Sequence, residues 1–154
     1  MNLTDERLRD SSGLPLRVLI AEDHDILREV LADLLVGCGA SVVGLASDGQ
    51  KAVVMARALR PAVILMDLSM PALGGADAMR LVLSADPDIR VVAVSGHVDR
   101  GSVEAAFAAG ASAYVFKDSA YEDLEVAILA ALAGERFVSR ALAGGAIAAA
   151  ERPA

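Results

Sequence analysis

The chain has 154 residues, enough for one domain with a buried core and little more. Hydrophobic residues make up 55% of it, the formal net charge is −7 and the 14 basic residues form no cluster, which excludes a disordered chain and argues against direct nucleic-acid binding, since neutralising phosphates needs a basic face. Two tyrosines, three phenylalanines and no tryptophan are too few for a base-stacking platform; the single cysteine, Cys38, excludes an internal disulfide framework and a cysteine-based zinc site; and the longest apolar run, 141–150, is too short for a membrane span.

Residues 1–14 are polar and mixed in charge, unlike a secretory signal, and read as a flexible leader. With one cysteine, a reducing cytoplasm is the expected location. From residue 15 onward, short apolar runs alternate with helical patterns. The first expected strand, 17–21, ends in acid at Glu22-Asp23. In the helix that follows, Ile26, Leu27, Val30, Leu31, Leu34 and Leu35 share one face, and Gly37-Cys38-Gly39 stops it. Strand 41–46 leads to Asp48, an N-cap, and to a helix with Ala52, Val53, Ala56 and Leu59 on one face, closed by Pro61. Strand 62–66 delivers Asp67. A helix over 75–84 ends before Pro87, strand 89–95 finishes at Ser95, and a helix over 99–109 stops at Gly110. Strand 113–116 leads to Lys117, and Ser119-Ala120-Tyr121-Glu122 has the form of a capping box for a fifth helix ending at Gly134. Residues 135–154 read as a tail or linker remnant, at most a short helix, because adjacent glycines and small residues make it marginal.

Alternation of this kind implies an α/β fold, a parallel sheet covered on both faces, with right-handed crossovers and a ligand site beyond the carboxyl ends of the strands. Four strand ends then supply one polar cluster: Glu22-Asp23, Asp67, Ser95 and Lys117. Two carboxylates ~5 Å apart repel by roughly 3 kcal/mol at an effective dielectric near 20, which a fold tolerates when a cation sits between them. A hard dication, Mg2+ or Mn2+, takes a few carboxylates plus water and substrate oxygens. The candidate ligands are Glu22, Asp23, Asp67 and the backbone carbonyl of Ser69. A carboxylate attacks phosphorus poorly unless the phosphoryl charge is neutralised, so a metal here points to phosphoryl chemistry at Asp67, with Lys117 as a point charge and Ser95 as a hydroxyl donor.

These residues resemble the receiver domain of bacterial response regulators: Glu22-Asp23 after the first strand, Asp67 within DLSMPALGG, Ser95 after VVAV and Lys117 within AYVFKD, spaced by 44, 28 and 22 residues. Pro71 and Gly75 match the family's turn after the acceptor. The resemblance implies a flavodoxin-like doubly wound (βα)5 fold over residues 15–134, with a five-stranded parallel sheet in the order 2-1-3-4-5. It implies a signalling domain rather than an enzyme, assisting only its own phosphorylation and dephosphorylation. Asp67 would accept a phosphoryl group from a sensor histidine kinase or phosphotransfer protein; Ser95 and Tyr114 would form the switch, Tyr114 swinging inward; and the surface of the fourth helix, fifth strand and fifth helix would engage a target. Phe116-Lys117-Asp118 and the stretch GERFVS (134–139) resemble the branch that carries a helix-turn-helix output domain. With about 15 residues left after that stretch, the expectation is a solitary or shortened regulator whose partner is a downstream protein or a missing DNA-binding domain, with homodimerisation through the fourth-to-fifth-helix surface.

Three positions depart from the family pattern: Asp118 where many members have proline, Glu22 in place of the usual aspartate, and Gly74 where an acid is common. Two alternatives stand beside the switch. One is a pseudo-receiver acting as a phosphorylation-independent interaction module. The other is an aspartyl-phosphate phosphohydrolase, which wants a second aspartate two residues after the nucleophile, where this chain has Ser69. His24, next to Asp23, is a weak candidate ligand, and His97, two residues beyond Ser95, a candidate influence on water access.

Overall fold

The computed structural model describes residues 7–139. Five strand-helix units follow in order: β1 Arg17–Ala21, α1 Asp25–Gly37, β2 Ser41–Ala46, α2 Gly49–Leu59, β3 Val63–Asp67, α3 Gly75–Ala85, β4 Arg90–Ser95, α4 Arg100–Ala108, β5 Ala113–Phe116 and α5 Ala120–Leu132. A sixth strand, β6 Phe137–Val138, closes the series. The sheet is parallel throughout, in the order β2-β1-β3-β4-β5-β6. The doubly wound order expected from the resemblance is present, with one strand added at the β5 edge.

Side-chain alternation divides the core between the two faces of the sheet. Leu19, Ile64, Met66, Val91 and Ala93 meet α2, α3 and α4 through Ala52, Val53, Ala56, Ala78, Met79, Val82, Val103 and Ala106. Their strand neighbours Val18, Ile20, Val63, Leu65, Val92 and Val94 point the other way, to Leu31 and Leu35 of α1 and to Leu124, Ala127 and Ile128 of α5. β3 is buried along its whole length, as a central strand covered on both faces must be.

Local chemistry sets the helix ends. Asp48 caps α2 by accepting the Lys51 N–H at 2.8 Å, and Asp99 caps α4 by accepting the Ser102 N–H at 2.9 Å. Arg60 ends α2 in the left-handed region at φ 49°, where the Arg17 guanidinium donates to the carbonyls of Leu59 and Arg60. The capping box expected at Ser119 does not form: the Ser119 side chain makes no cap hydrogen bond, because a 3-10 turn, Lys117–Ser119, carries the chain into α5. Among the described residues no peptide bond is cis, so Lys117–Asp118 is trans.

Two segments pack where loose chain was expected. In the leader, Leu8 is fully buried, Arg7 pairs with Glu125 of α5 at 2.7 Å, and a bridge between Arg9 and Pro15 folds the segment back on itself. At the other end, β6 pairs with β5, and Ser139 is fully buried, its N–H donating to the Tyr114 carbonyl at 3.0 Å and its Oγ accepting the Phe116 N–H at 2.9 Å. Arg136 lies 4.4 Å over the Phe107 ring of α4. Residues 140–154, where a short helix was entertained, lie outside the described residues. Ser139→Ala leaves the Phe116 amide without its acceptor, so a loss of about 1–2 kcal/mol in denaturant unfolding is expected. An unchanged midpoint would show that the Ser139 hydroxyl bond adds nothing to the fold. Among the described residues no helix is long and apolar enough to cross a membrane.

Candidate functional site

β1 and β3 lie side by side, and α1 and α2 leave them on opposite faces, so a crevice opens at their carboxyl ends. β1 delivers Glu22 and Asp23 to it and β3 delivers Asp67. Oxygen atoms of these three carboxylates lie within 4.8 Å of one another, and Glu22 and Asp67 are both 1% exposed. Gly75 allows this close packing, because a side-chain carbon there would strike the backbone carbonyl of Asp67, so α3 could not start against the loop after β3 with any other residue.

Lys117, at the end of β5, places Nζ 3.2 Å from Asp67 Oδ2 and 3.3 Å from Glu22 Oε1. Other contacts orient the acids. The Ser69 N–H donates to Asp67 Oδ1 at 3.0 Å, and the His24 N–H donates to Glu22 Oε2 at 3.1 Å. Glu22 Oε1 and Asp67 Oδ2 have no hydrogen-bond donor although buried; the ammonium is near them as a charge only. Three carboxylates facing one ammonium, two of them with buried oxygens lacking a donor, fit a hard dication, which takes an all-oxygen set of this kind. Neither histidine joins the cluster: the His24 and His97 side chains are both exposed.

The charge balance follows from burial. Desolvation pushes Glu22 up to about 7; the His24 amide opposes this, the Asp67 carboxyl adds to it and Lys117 opposes it again. Burial also pushes Asp23 upward, but hydrogen bonding with Asp67 and Glu22 outweighs it and leaves Asp23 below the ordinary aspartate value. For Lys117 burial acts downward, and attraction to Asp67 and Glu22 overcomes it, so the ammonium is held charged. A carboxyl raised from 4.5 to about 7 keeps its proton in the folded chain after the unfolded chain has lost it. Its stability contribution is therefore complete below pH 4.5 and disappears as the pH rises to about 7, amounting to roughly 3 kcal/mol. Asp23 acts in the opposite sense, and only in more acid solution. Urea unfolding in EDTA should give a lower midpoint at pH 8 than at pH 5, and Mg2+ should reverse that fall; a flat profile would contradict the burial argument.

Ser95 and Tyr114 sit on the neighbouring strands. Ser95 ends β4, next to the strand that carries Asp67, and is fully buried. Its Oγ accepts the His97 N–H at 3.1 Å, and the Tyr114 hydroxyl donates to the His97 carbonyl at 2.9 Å. The two hydroxyls thus meet on one backbone residue, which spacing alone does not reveal. Tyr114 is fully buried. Burial raises its pKa and the nearby Ser95 hydroxyl partly offsets this. Sequence reasoning also missed Arg28, which donates to the Glu22 carbonyl at 2.9 Å and to Asp25 Oδ1 at 2.7 Å. An i,i+3 acid-base pair at the start of α1 was its only legible signal.

Residues 18–129 match the response regulator receiver domain model. The response regulator GacA of Pseudomonas protegens is 37% identical over 129 residues, covering 83% of this chain and 61% of the relative. The response regulator UvrY of Escherichia coli O6:H1 is 32% identical over 132 residues, covering 83% and 59%. This chain therefore spans about three fifths of the length of these relatives. Among solved structures, a two-component response regulator of the LuxR family from Aurantimonas sp. SI85-9A1 superposes with a TM-score of 0.82 at 33% identity, covering 90% of this chain and 99% of that one. The signal receiver domain of the putative response regulator NarL from Mycobacterium tuberculosis gives 0.74 at 32% identity, covering 79% and 99%. By its fold, its acidic crevice and this match over most of its length, the chain belongs to the response regulator receiver domain family.

Proposed function

We propose that the chain is a phosphorylation-controlled switch with Asp67 as its acceptor. The observation that carries this is the convergence of three carboxylates with Lys117 Nζ, which lies 3.2–3.3 Å from two of them. Glu22, Asp23, Asp67 and the Ser69 backbone carbonyl would hold Mg2+ or Mn2+, which when bound neutralises charge on the phosphoryl oxygens. One Asp67 oxygen attacks the phosphorus of a donor phosphohistidine. The O–P bond forms as the N–P bond breaks, and the electron pair leaves with the imidazole nitrogen, which takes a proton from solvent. Lys117 supplies a fixed positive charge to the incoming group.

Switching starts from the hydroxyl relay. When Ser95 Oγ turns to donate to a phosphoryl oxygen, the His97 N–H loses its acceptor and the His97 carbonyl that holds Tyr114 shifts with it. Tyr114 lies on β5, so the change reaches the α4-β5-α5 surface. The proposed donor is a sensor histidine kinase or a phosphotransfer protein. On the output side the surface would engage a downstream protein, a DNA-binding domain or a second copy of the chain. Incubation with a small phosphoramidate and Mg2+ tests the reading: the mass should rise by one phosphoryl group, sensitive to hydroxylamine, and EDTA should prevent it. Absence of any Mg2+-dependent adduct would favour a phosphorylation-independent interaction module.

A further inference from the structure

Glu22 and Asp23 are consecutive residues, and in a continuing strand their side chains would point to opposite faces. They reach one site because β1 ends at Ala21 and the chain bends through 22–24 before α1 begins at Asp25. On one side of the bend the Glu22 N–H donates to the Ala46 carbonyl of β2 at 3.0 Å. On the other, the Arg28 guanidinium donates to the Glu22 carbonyl at 2.9 Å and to Asp25 Oδ1 at 2.7 Å. The Arg28 N–H also donates to the His24 carbonyl, at 2.9 Å. Its side chain is only 18% exposed, and a planar guanidinium fixes two partners in a set relative direction, which a lysine ammonium cannot.

We infer that Arg28 is a positioning residue for the cation site: it clamps the bend between the Glu22 carbonyl and Asp25, and so sets where Glu22 and Asp23 present their carboxylates. Both of its bonds go to the frame that carries the ligands, so it acts through Glu22 and Asp23. The inference rests on the proposed reading of the acid cluster as a cation site and adds the residue that gives that site its shape.

The test is calorimetric titration of Mg2+ into the full chain as wild type, Arg28→Met, which keeps the aliphatic stem, and Arg28→Lys, with thermal unfolding in EDTA as a folding control. Losing a group that orients metal ligands typically weakens metal binding by about tenfold or more, so Arg28→Met should raise the Mg2+ dissociation constant by about that factor. Arg28→Lys, with one point donor for two partners, should raise it by about threefold. Phosphorylation should accordingly need more Mg2+ to reach half-maximal labelling in both variants. A purely structural role would lower the melting temperature in EDTA and leave Mg2+ affinity unmoved, which would overturn the inference. If Arg28→Met does not fold, Arg28→Lys decides: weaker binding supports the clamp and wild-type binding overturns it. If the wild type itself takes up no Mg2+, the cation-site reading fails and this inference fails with it; wild-type binding with unaffected variants rejects the inference alone.

Discussion

Asp67→Asn should give no phosphoryl adduct above background under conditions that label the wild type. The amide keeps an oxygen that can accept the Ser69 N–H, so the loop after β3 should hold its shape. What it lacks is an anionic oxygen able to form the acyl phosphate. Stability should move the other way. Wild-type Asp67 and Glu22 crowd two acids within 4.8 Å, a repulsion of roughly 3 kcal/mol at an effective dielectric near 20 that Lys117 only partly offsets. Without metal at pH 8, where Glu22 is mostly ionised, thermal unfolding of Asp67→Asn should occur at or above the wild-type temperature, and Mg2+ should stabilise it less. A variant that still accepts phosphate would place the acceptor elsewhere. One that is inactive but grossly unfolded would contradict the charge argument.

Lys117→Ala should separate metal binding from switching. The ammonium is the only cation paired with Glu22 Oε1 and Asp67 Oδ2 among the described residues, and both oxygens are buried without a donor. Removing one partner of a buried pair costs about 3 kcal/mol, so the metal-free variant should be destabilised by that order at pH 8. At pH 5 the loss should be smaller, because Glu22, raised to about 7, is then neutral. Mg2+ should restore much of the difference and still bind. Phosphorylation should nevertheless be slowed, and the α4-β5-α5 surface should respond weakly, because no fixed charge just after β5 meets the phosphoryl group. Wild-type labelling kinetics in Lys117→Ala would remove this residue from the mechanism.

The fold was legible because its signals are redundant. Each central strand is an apolar run, the first two helices carry a 3.6-residue stripe, and Asp48 stands where a cap belongs. The acid–lysine cluster was legible because strand ends finish in polar residues and the register of β1, β3, β4 and β5 sets those ends side by side; Ser95 comes to the neighbouring strand end. What escaped depends on tertiary context. β6 has two residues and no period to detect; it exists because the β5 edge is open and Ser139 can reach the Phe116 amide. Leu8 is one apolar residue among charged neighbours, and only its place under the α1–β2 connection, with its N–H on the Cys38 carbonyl, buries it. At Ser119 the pattern S-x-x-E was present, yet the 3-10 turn after Lys117 took the place of the cap. The contacts that shape the site (Arg28 to a carbonyl, and the amides of His24 and Ser69 to carboxylates) involve backbone atoms, which residue identities do not announce.

The central claim is that acids from β1 and β3 share one dication beside the acceptor oxygen. Anomalous diffraction from crystals soaked in Mn2+ tests it most directly. A single peak should appear between Glu22, Asp23 and Asp67, at about 2.0–2.2 Å from their carboxylate oxygens, as expected for a hard dication with oxygen ligands. Crystals of well-ordered protein with no manganese between these carboxylates, or with the ion bound at another surface, would contradict the account.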